Sequence, residues 1–105
     1  MDESHTELYK EYDRRGRLLY EGGYLNGKYN GKGKQYSFLN GLLEYEGDFL
    51  NGKWNGKGKK YIKGKLDYEG EYENNIRNGR GKEYDYNGTL RFDGTYINRR
   101  NNKRT

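Results

Sequence analysis

Apolar and polar residues alternate along short stretches of this chain, and each stretch ends near a glycine or an Asn-Gly pair. Neighbouring side chains of an extended strand point to opposite faces, so every second residue shares a face. The first stretch places on one face Leu18, Tyr20, Gly22 and Tyr24. The same order of residue types returns at 43–49, 66–72 and 90–96. No segment shows the 3.6-residue period of an amphipathic helix, so the pattern predicts an all-β protein.

Three segments repeat one another without a gap, at 20–36, 45–61 and 68–84. They read YEGGYLNGKYNGKGKQY, YEGDFLNGKWNGKGKKY and YEGEYENNIRNGRGKEY. The spacing inside each segment is constant, whereas the spacing between segments varies, as exposed loops tolerate. Asn-Gly between alternating stretches is a strong hairpin signal. We therefore predict a single-layer twisted antiparallel meander of tandem β-hairpins, with about seven to eight strands.

The repeat also predicts how neighbouring strands align. If Tyr24 opposes Gly31, then Gly31 and Gly33 share the aromatic face, and rings lie across bare glycine backbone. The same alignment gives the opposite face a row of charges that alternates in sign, which would fix the register. That row consists of Lys10, Glu21, Lys34, Glu46, Lys59, Glu69, Lys82 and Asp93.

Composition sets limits on the class of protein. Only 30% of the 105 residues are hydrophobic, so the core is thin, but 13 tyrosines and 17 glycines at regular positions indicate a folded chain. Cysteine is absent and no run of about 20 apolar residues occurs, so we expect neither disulfides nor a membrane span. The polar N-terminus is unlike a signal peptide, which favours a cytoplasmic location. We divide the chain into an N-terminal tail (1–9), a repeat array (10–98) and a basic tail (99–105).

Residues suited to catalysis are sparse. The single histidine, His5, lies in the N-terminal tail, which excludes histidine triads and metal clusters. Gly31-Lys32-Gly33 and its copies lack the strand-to-helix context of nucleotide-binding loops. Asp85-Tyr86-Asn87-Gly88 resembles the start of a calcium loop, but Tyr96 stands where the final glutamate belongs. We predict no enzyme, no cofactor, no metal and no small-molecule substrate.

The three segments resemble MORN (membrane occupation and recognition nexus) repeats, whose pattern is roughly Tyr-x-Gly-x-aromatic followed by a Gly-x-Gly strand. The resemblance covers residues 10–98, with two departures. Asn74-Asn75 replaces an Asn-Gly pair, and asparagine replaces the family's frequent histidine at Asn30, Asn55 and Asn78. The resemblance implies an elongated sheet with a lengthwise groove that acts as a scaffold or recognition module. Family members are associated with membranes, phosphoinositides, cytoskeletal structures and peptide partners, and some dimerise.

The aromatic face is the first candidate site. We predict that an aromatic, glycine-floored groove binds a peptide, a protein or a second copy of the chain. Its residues are Tyr24, Phe49, Tyr72, Tyr96, Tyr20, Tyr45, Tyr68 and Trp54. The alternative is that these rings form the core, since a single-layer sheet buries little else. That alternative applies most to the residues predicted to form the floor of the face: Leu18, Tyr20, Leu43, Tyr45, Leu66, Tyr68, Leu90 and Phe92.

Basic residues near the constant turns suggest a second function, peripheral binding to anionic phospholipid or phosphoinositide. They are Lys28, Lys32, Lys53, Lys57, Arg77 and Arg80, and solubility is the competing explanation. Carbohydrate binding is a third hypothesis, because tyrosine rows flanked by Asn and Asp can stack on sugars. Nucleic acid is not expected, since the acidic residues of the charged row oppose phosphate. The two unpaired edges of a meander suggest a homodimer, or an edge capped by the tail.

Overall fold

The computed structural model describes residues 8–97 and 100–101. Within these ranges, nine strands form one sheet in which each strand pairs with the next in antiparallel fashion. They are β1 (Tyr9–Tyr12), β2 (Leu18–Leu25), β3 (Lys28–Tyr36), β4 (Leu43–Leu50), β5 (Lys53–Ile62), β6 (Lys65–Glu73), β7 (Ile76–Tyr84), β8 (Leu90–Ile97) and β9 (Arg100–Asn101). The predicted all-β meander is confirmed, with the two-residue β9 as an addition.

The predicted tails fall mostly outside the described residues. This applies to 1–7 of the N-terminal tail, which include His5, and to 99 and 102–105 of the basic tail. Arg100 and Asn101 pair with Ile97 and Tyr96, so part of the basic tail extends the sheet. Within the described ranges there is no helix long and apolar enough to cross a membrane.

The constant turns, after β2, β4 and β6, each contain two residues with positive φ. In the first turn Asn26 and Gly27 have φ of 52° and 78°. In the third, Asn74 and Asn75 have φ of 50° and 72°, so the missing glycine leaves the turn unchanged. Asparagine tolerates this left-handed region better than most residues, which explains the result.

The variable turns satisfy their own backbone groups. One carboxylate oxygen of Asp13 accepts hydrogen bonds from the N–H groups of Arg15 (2.8 Å) and Arg17 (2.9 Å). The turn that begins at Asp85 repeats this arrangement. In the turn after β3, the hydroxyl of Ser37 accepts the N–H of Leu39 at 3.1 Å. Because local hydrogen bonds hold these three turns, their lengths can differ without disturbing the strands.

The row of alternating charges predicted from the sequence is confirmed pair by pair, and a row of glycines runs beside it. A continuous row of facing glycines crosses β2 to β8, formed by Gly22, Gly33, Gly47, Gly58, Gly70, Gly81 and Gly94. The row of alternating charges pairs directly at every step from Lys10 in β1 to Asp93 in β8. The sheet therefore has one aromatic face and one charged face.

One predicted pairing is wrong, because β3 contains two more residues than β2 between the glycine row and the constant turn. Tyr24 opposes Tyr29 rather than Gly31. The same irregularity recurs where Phe49 opposes Trp54. Gly31, with φ of 89°, instead faces Phe49 of the next repeat.

The leucines predicted for the aromatic face lie on the charged face. Leu66 opposes Tyr61, whose hydroxyl donates to Glu46 of the charged row, and facing residues share a side. An extra residue in β6, Asp67, forms the β-bulge that turns Leu66 over. The same shift occurs in β2, β4 and β8, and the correction therefore applies to Leu18, Leu43, Leu66 and Leu90.

The core is a continuous series of aromatic rings on the glycine row. Consecutive rings meet edge to face, with centroids 5.1 to 5.5 Å apart and interplanar angles of 77° to 90°. The series runs Tyr20, Phe49, Tyr45, Tyr72, Tyr68, Tyr96, Phe92. A Cβ added to Gly58 would lie 2.2 Å from the hydroxyl of Tyr45, so glycine is what allows the ring to lie on the backbone.

Candidate functional site

The aromatic residues predicted to contact a partner are mostly buried. Six of them are 0 to 6% exposed: Tyr20, Tyr45, Tyr68, Phe49, Tyr72 and Tyr96. Tyr24 and Trp54 keep partial exposure, and the ring of Tyr24 stacks on Tyr9 at 3.7 Å. In this conformation only Tyr24 and Trp54 of the predicted set have much surface to offer. Contact between the predicted set and a partner stays a prediction.

A second layer of side chains covers the buried rings. Each member follows a constant turn and lies against the tyrosine of its own repeat: Tyr29 on Tyr20 (3.7 Å), Trp54 on Tyr45 (4.5 Å) and the guanidinium of Arg77 on Tyr68 (4.2 Å). A guanidinium is planar and stacks on aromatic faces, so Arg77 can take the place of a ring.

Polar groups fix this second layer. The hydroxyl of Tyr29 donates to Glu11 at 2.7 Å, and the indole N–H of Trp54 donates to Gln35 at 2.8 Å. Arg77 pairs with Asp67 at 2.9 Å. Because these contacts hold the covering side chains in place, the aromatic face presents a closed surface rather than an open groove.

The open concave surface lies on the other face. A groove of about 790 Å³ runs from β2 to β8, and its floor is the backbone of the glycine row. Its sides are the charged residues before and after these glycines. We call this surface the charged groove. The glycine-floored groove was predicted on the aromatic face, whereas the open groove of the structure lies on the other face and is lined by charges.

Within the charged groove, each central strand carries one sign of charge on both sides of its glycine. The five triplets are Lys32-Gly33-Lys34, Glu46-Gly47-Asp48, Lys57-Gly58-Lys59, Glu69-Gly70-Glu71 and Arg80-Gly81-Lys82. Adjacent strands lie about 4.8 Å apart, so bands of positive and negative charge alternate at that interval.

The carboxylates of these bands are held by donors of the protein itself. Asp48 pairs with the ammonium of Lys32 at 2.7 Å and accepts the backbone N–H of Lys57 at 3.0 Å. Burial opposes ionisation of Asp48, but these two hydrogen bonds outweigh it and hold its pKa below the ordinary value. Glu71 likewise accepts the backbone N–H of Arg80 at 3.0 Å.

Two further carboxylates are held by tyrosine hydroxyls. Glu46 accepts from Tyr61 at 3.3 Å, and Glu69 accepts from Tyr84. These tyrosines follow the charged row by two residues and lie on the same face. The negative bands are thus neutralised in part by contacts inside the sheet.

The lysines of the charged row are exposed and make no such contact. Within the part of the chain that the structure describes, no carboxylate lies within 4.0 Å of the ammonium groups of Lys34, Lys59 or Lys82. Their cross-strand partners are acidic, yet the ammonium groups do not close on them. The groove therefore presents these cations to solvent.

The six cations predicted for lipid binding do not form one surface. Lys32, Lys57 and Arg80 line the charged groove, Lys28 and Lys53 lie beside the constant turns, and Arg77 belongs to the second layer. Lys32 and Arg80 pair with Asp48 and Asp93. Lipid contact through this set stays a prediction.

Sequence reasoning assigned Lys34, Lys59 and Lys82 to register alone and missed them as site residues. The signal was present, because a basic residue stands on each side of the glycine in three strands.

One of the asparagines that replace the family's frequent histidine, Asn55, contacts the neighbouring repeat. The side chain of Asn55 accepts the N–H of Asn74 in the next constant turn at 3.0 Å, which ties consecutive repeats together.

Groups suited to metal chemistry are lacking in the described ranges, where no three His, Cys, Asp or Glu residues cluster. A one-layer sheet of tandem hairpins, with a ring core on one side and a charged groove on the other, defines a repeat protein of the scaffold class. The family model of the MORN repeat matches residues 20–42, 45–64 and 68–90, and the chain belongs to this family. A search of the curated proteins found no match. MORN repeats are in general non-catalytic interaction and scaffold modules.

Proposed function

We propose that this chain is a non-catalytic interaction module that holds a segment of a partner protein in the charged groove. The observation that carries the proposal is that the ammonium groups of Lys34, Lys59 and Lys82 are exposed and, among the described residues, unpaired. The floor of the groove is main chain, because the side chains on this face belong to the flanking charged residues and the missing Cβ positions of the glycines point toward the aromatic rings. Exposed charges at a fixed spacing favour one partner register over others.

The aromatic core supports this role indirectly. Its rings pack on the glycine backbone of the aromatic face and hold the strands in register. The charged side chains of the other face therefore keep fixed positions. Tyr24 and Trp54 are the predicted contact residues that retain accessible surface, and they provide the competing site on the opposite face. An experiment that separates the two faces therefore tests the proposal.

Quantitative affinity capture from cell extract, with three forms of the intact chain, makes that separation. The groove variant carries Lys34→Gln, Lys59→Gln and Lys82→Gln; the aromatic-face variant carries Tyr24→Ser and Lys60→Gln, which lies near Trp54. Partners enriched by the wild type should be lost with the groove variant and kept with the aromatic-face variant. The reverse pattern would contradict the proposal. Trp54 fluorescence checks that each form is folded.

A second candidate function, binding to an anionic membrane, is favoured by one observation on the variable-turn edge. Phe38 and Leu39 are 69% and 79% exposed in a turn held by its own hydrogen bonds. Exposed Arg14 and Arg15 lie in the neighbouring turn, where Arg17 donates to the carbonyl of Phe38. Apolar tips flanked by cations suit the interface of an anionic bilayer.

Co-sedimentation with vesicles tests this second candidate. Binding to vesicles that contain phosphatidylserine, and not to neutral vesicles, should fall when Phe38 and Leu39 are replaced by Ser. Binding that is unchanged in this variant, or absent with wild type, would remove the candidate.

A further inference from the structure

The positive bands of the charged groove form a regular series. Each band has two cations that flank a glycine, as in Lys57-Gly58-Lys59, and bands of this kind occupy β3, β5 and β7. Alternate strands are separated by about 9.6 Å, twice the interstrand distance of about 4.8 Å. Three places for an anionic group therefore recur along the groove at this interval.

The length of the groove sets the size of its occupant. Six interstrand steps from β2 to β8 give a length of about 29 Å. An extended chain of about nine residues, at about 3.1 Å per residue, spans this length.

We propose that the charged groove binds an acidic polyproline II segment whose carboxylates occur at every third residue. This conformation has three residues per turn and rises about 3.1 Å per residue, so side chains three apart point the same way and lie about 9.3 Å apart. That distance matches the positive bands. In a β-strand, side chains on one side repeat at about 6.7 Å, so the second and third carboxylates of a series would lie nearer to negative bands than to positive ones. The proposal rests on the proposed function and names the chemistry of the partner.

The negative bands give the groove its selectivity. A carboxylate shifted by half the interval would face Glu46 or Glu69 instead of a lysine. For the same reason a single-stranded nucleic acid, whose phosphates are spaced more closely than the positive bands, would meet repulsion. Its bases would also lack aromatic side chains to stack on, since the rings occupy the other face.

Titration of the intact chain with two synthetic peptides of identical composition tests the proposal. The phased peptide contains five Glu-Pro-Pro repeats, and its isomer contains the same residues with the five glutamates adjacent. We expect the phased peptide to bind about tenfold more tightly, which corresponds to three pairs of about 0.5 kcal/mol each. The difference should shrink as salt is added.

Two triple variants of equal charge locate the binding. The preference should disappear in K34Q/K59Q/K82Q and persist in K28Q/K53Q/K60Q, whose lysines lie outside the groove. Equal binding of both peptides, a preference that survives the first triple variant, or tighter binding of oligothymidylate would overturn the proposal. If neither peptide binds, the proposal is wrong, while groove-dependent capture of partners from extract would still support an interaction module.

Discussion

Replacing Gly58 by alanine should destabilise the protein because a ring lies on this glycine. The new Cβ would be 2.2 Å from the Tyr45 hydroxyl and 2.4 Å from its ring carbons. Trp54 stacks on the other side of the ring at 4.5 Å, so the ring cannot simply lift away. Overpacking costs about 1–3 kcal/mol, and loss of the hydrogen bond from Tyr45 to Asp48 adds about 1 kcal/mol. We expect a total of about 2–4 kcal/mol, measured by urea unfolding followed through Trp54, the single tryptophan.

The effect of Gly58→Ala on stability should depend on whether the Tyr45 ring is present. In the Tyr45→Leu background the clash is removed, and Gly58→Ala should then be neutral or stabilising by up to about 1 kcal/mol, since alanine restricts the unfolded chain. Gly94→Ala is a matched control at the end of the array, where the nearest atom belongs to Phe92 at 2.7 Å and the ring is only partly buried. We expect a smaller cost there. An equal cost of Gly58→Ala in both backgrounds would refute the packing argument.

Three further outcomes are expected. Burial raises the pKa of Tyr20 and Tyr68 from 10.0 to about 12, so the stability that depends on their un-ionised hydroxyls is complete below about pH 10 and is lost between about pH 10 and 12; an unchanged urea midpoint between pH 9 and pH 11 would disagree. Asp48→Ala should lower the free energy of unfolding by about 1–2 kcal/mol. Because the pKa of Asp48 is lowered in the folded state, its stabilising effect should fade below about pH 4, and the free energies of unfolding of wild type and variant should converge in acid. Light scattering at high protein concentration should give the mass of a dimer, because β9 covers only the Tyr96 and Ile97 end of β8 among the described residues; a strictly monomeric mass would disfavour edge pairing.

The hairpins, the glycine row and the alternating charges could be predicted because each depends on local residue types and on the two-residue period of a strand. Bulges could not, since an extra residue such as Asp67 leaves the alternation of apolar and polar residues looking regular. The sequence also did not show which face carries the open groove. The pattern defines two faces, but the second layer that covers the aromatic face depends on side chains such as Arg77 and Gln35, whose contacts arise only once the strands are aligned.

Lysine footprinting of the intact chain, with and without the phased acidic peptide, tests most directly which face binds. Lys59 and Lys60 are neighbours in the sequence but point to opposite faces, since Lys59 pairs in the charged row and Lys60 lies near Trp54. Bound peptide should protect Lys34, Lys59 and Lys82 from acetylation and leave Lys60 unchanged. Protection of Lys60 with continued labelling of Lys59 would contradict binding in the charged groove.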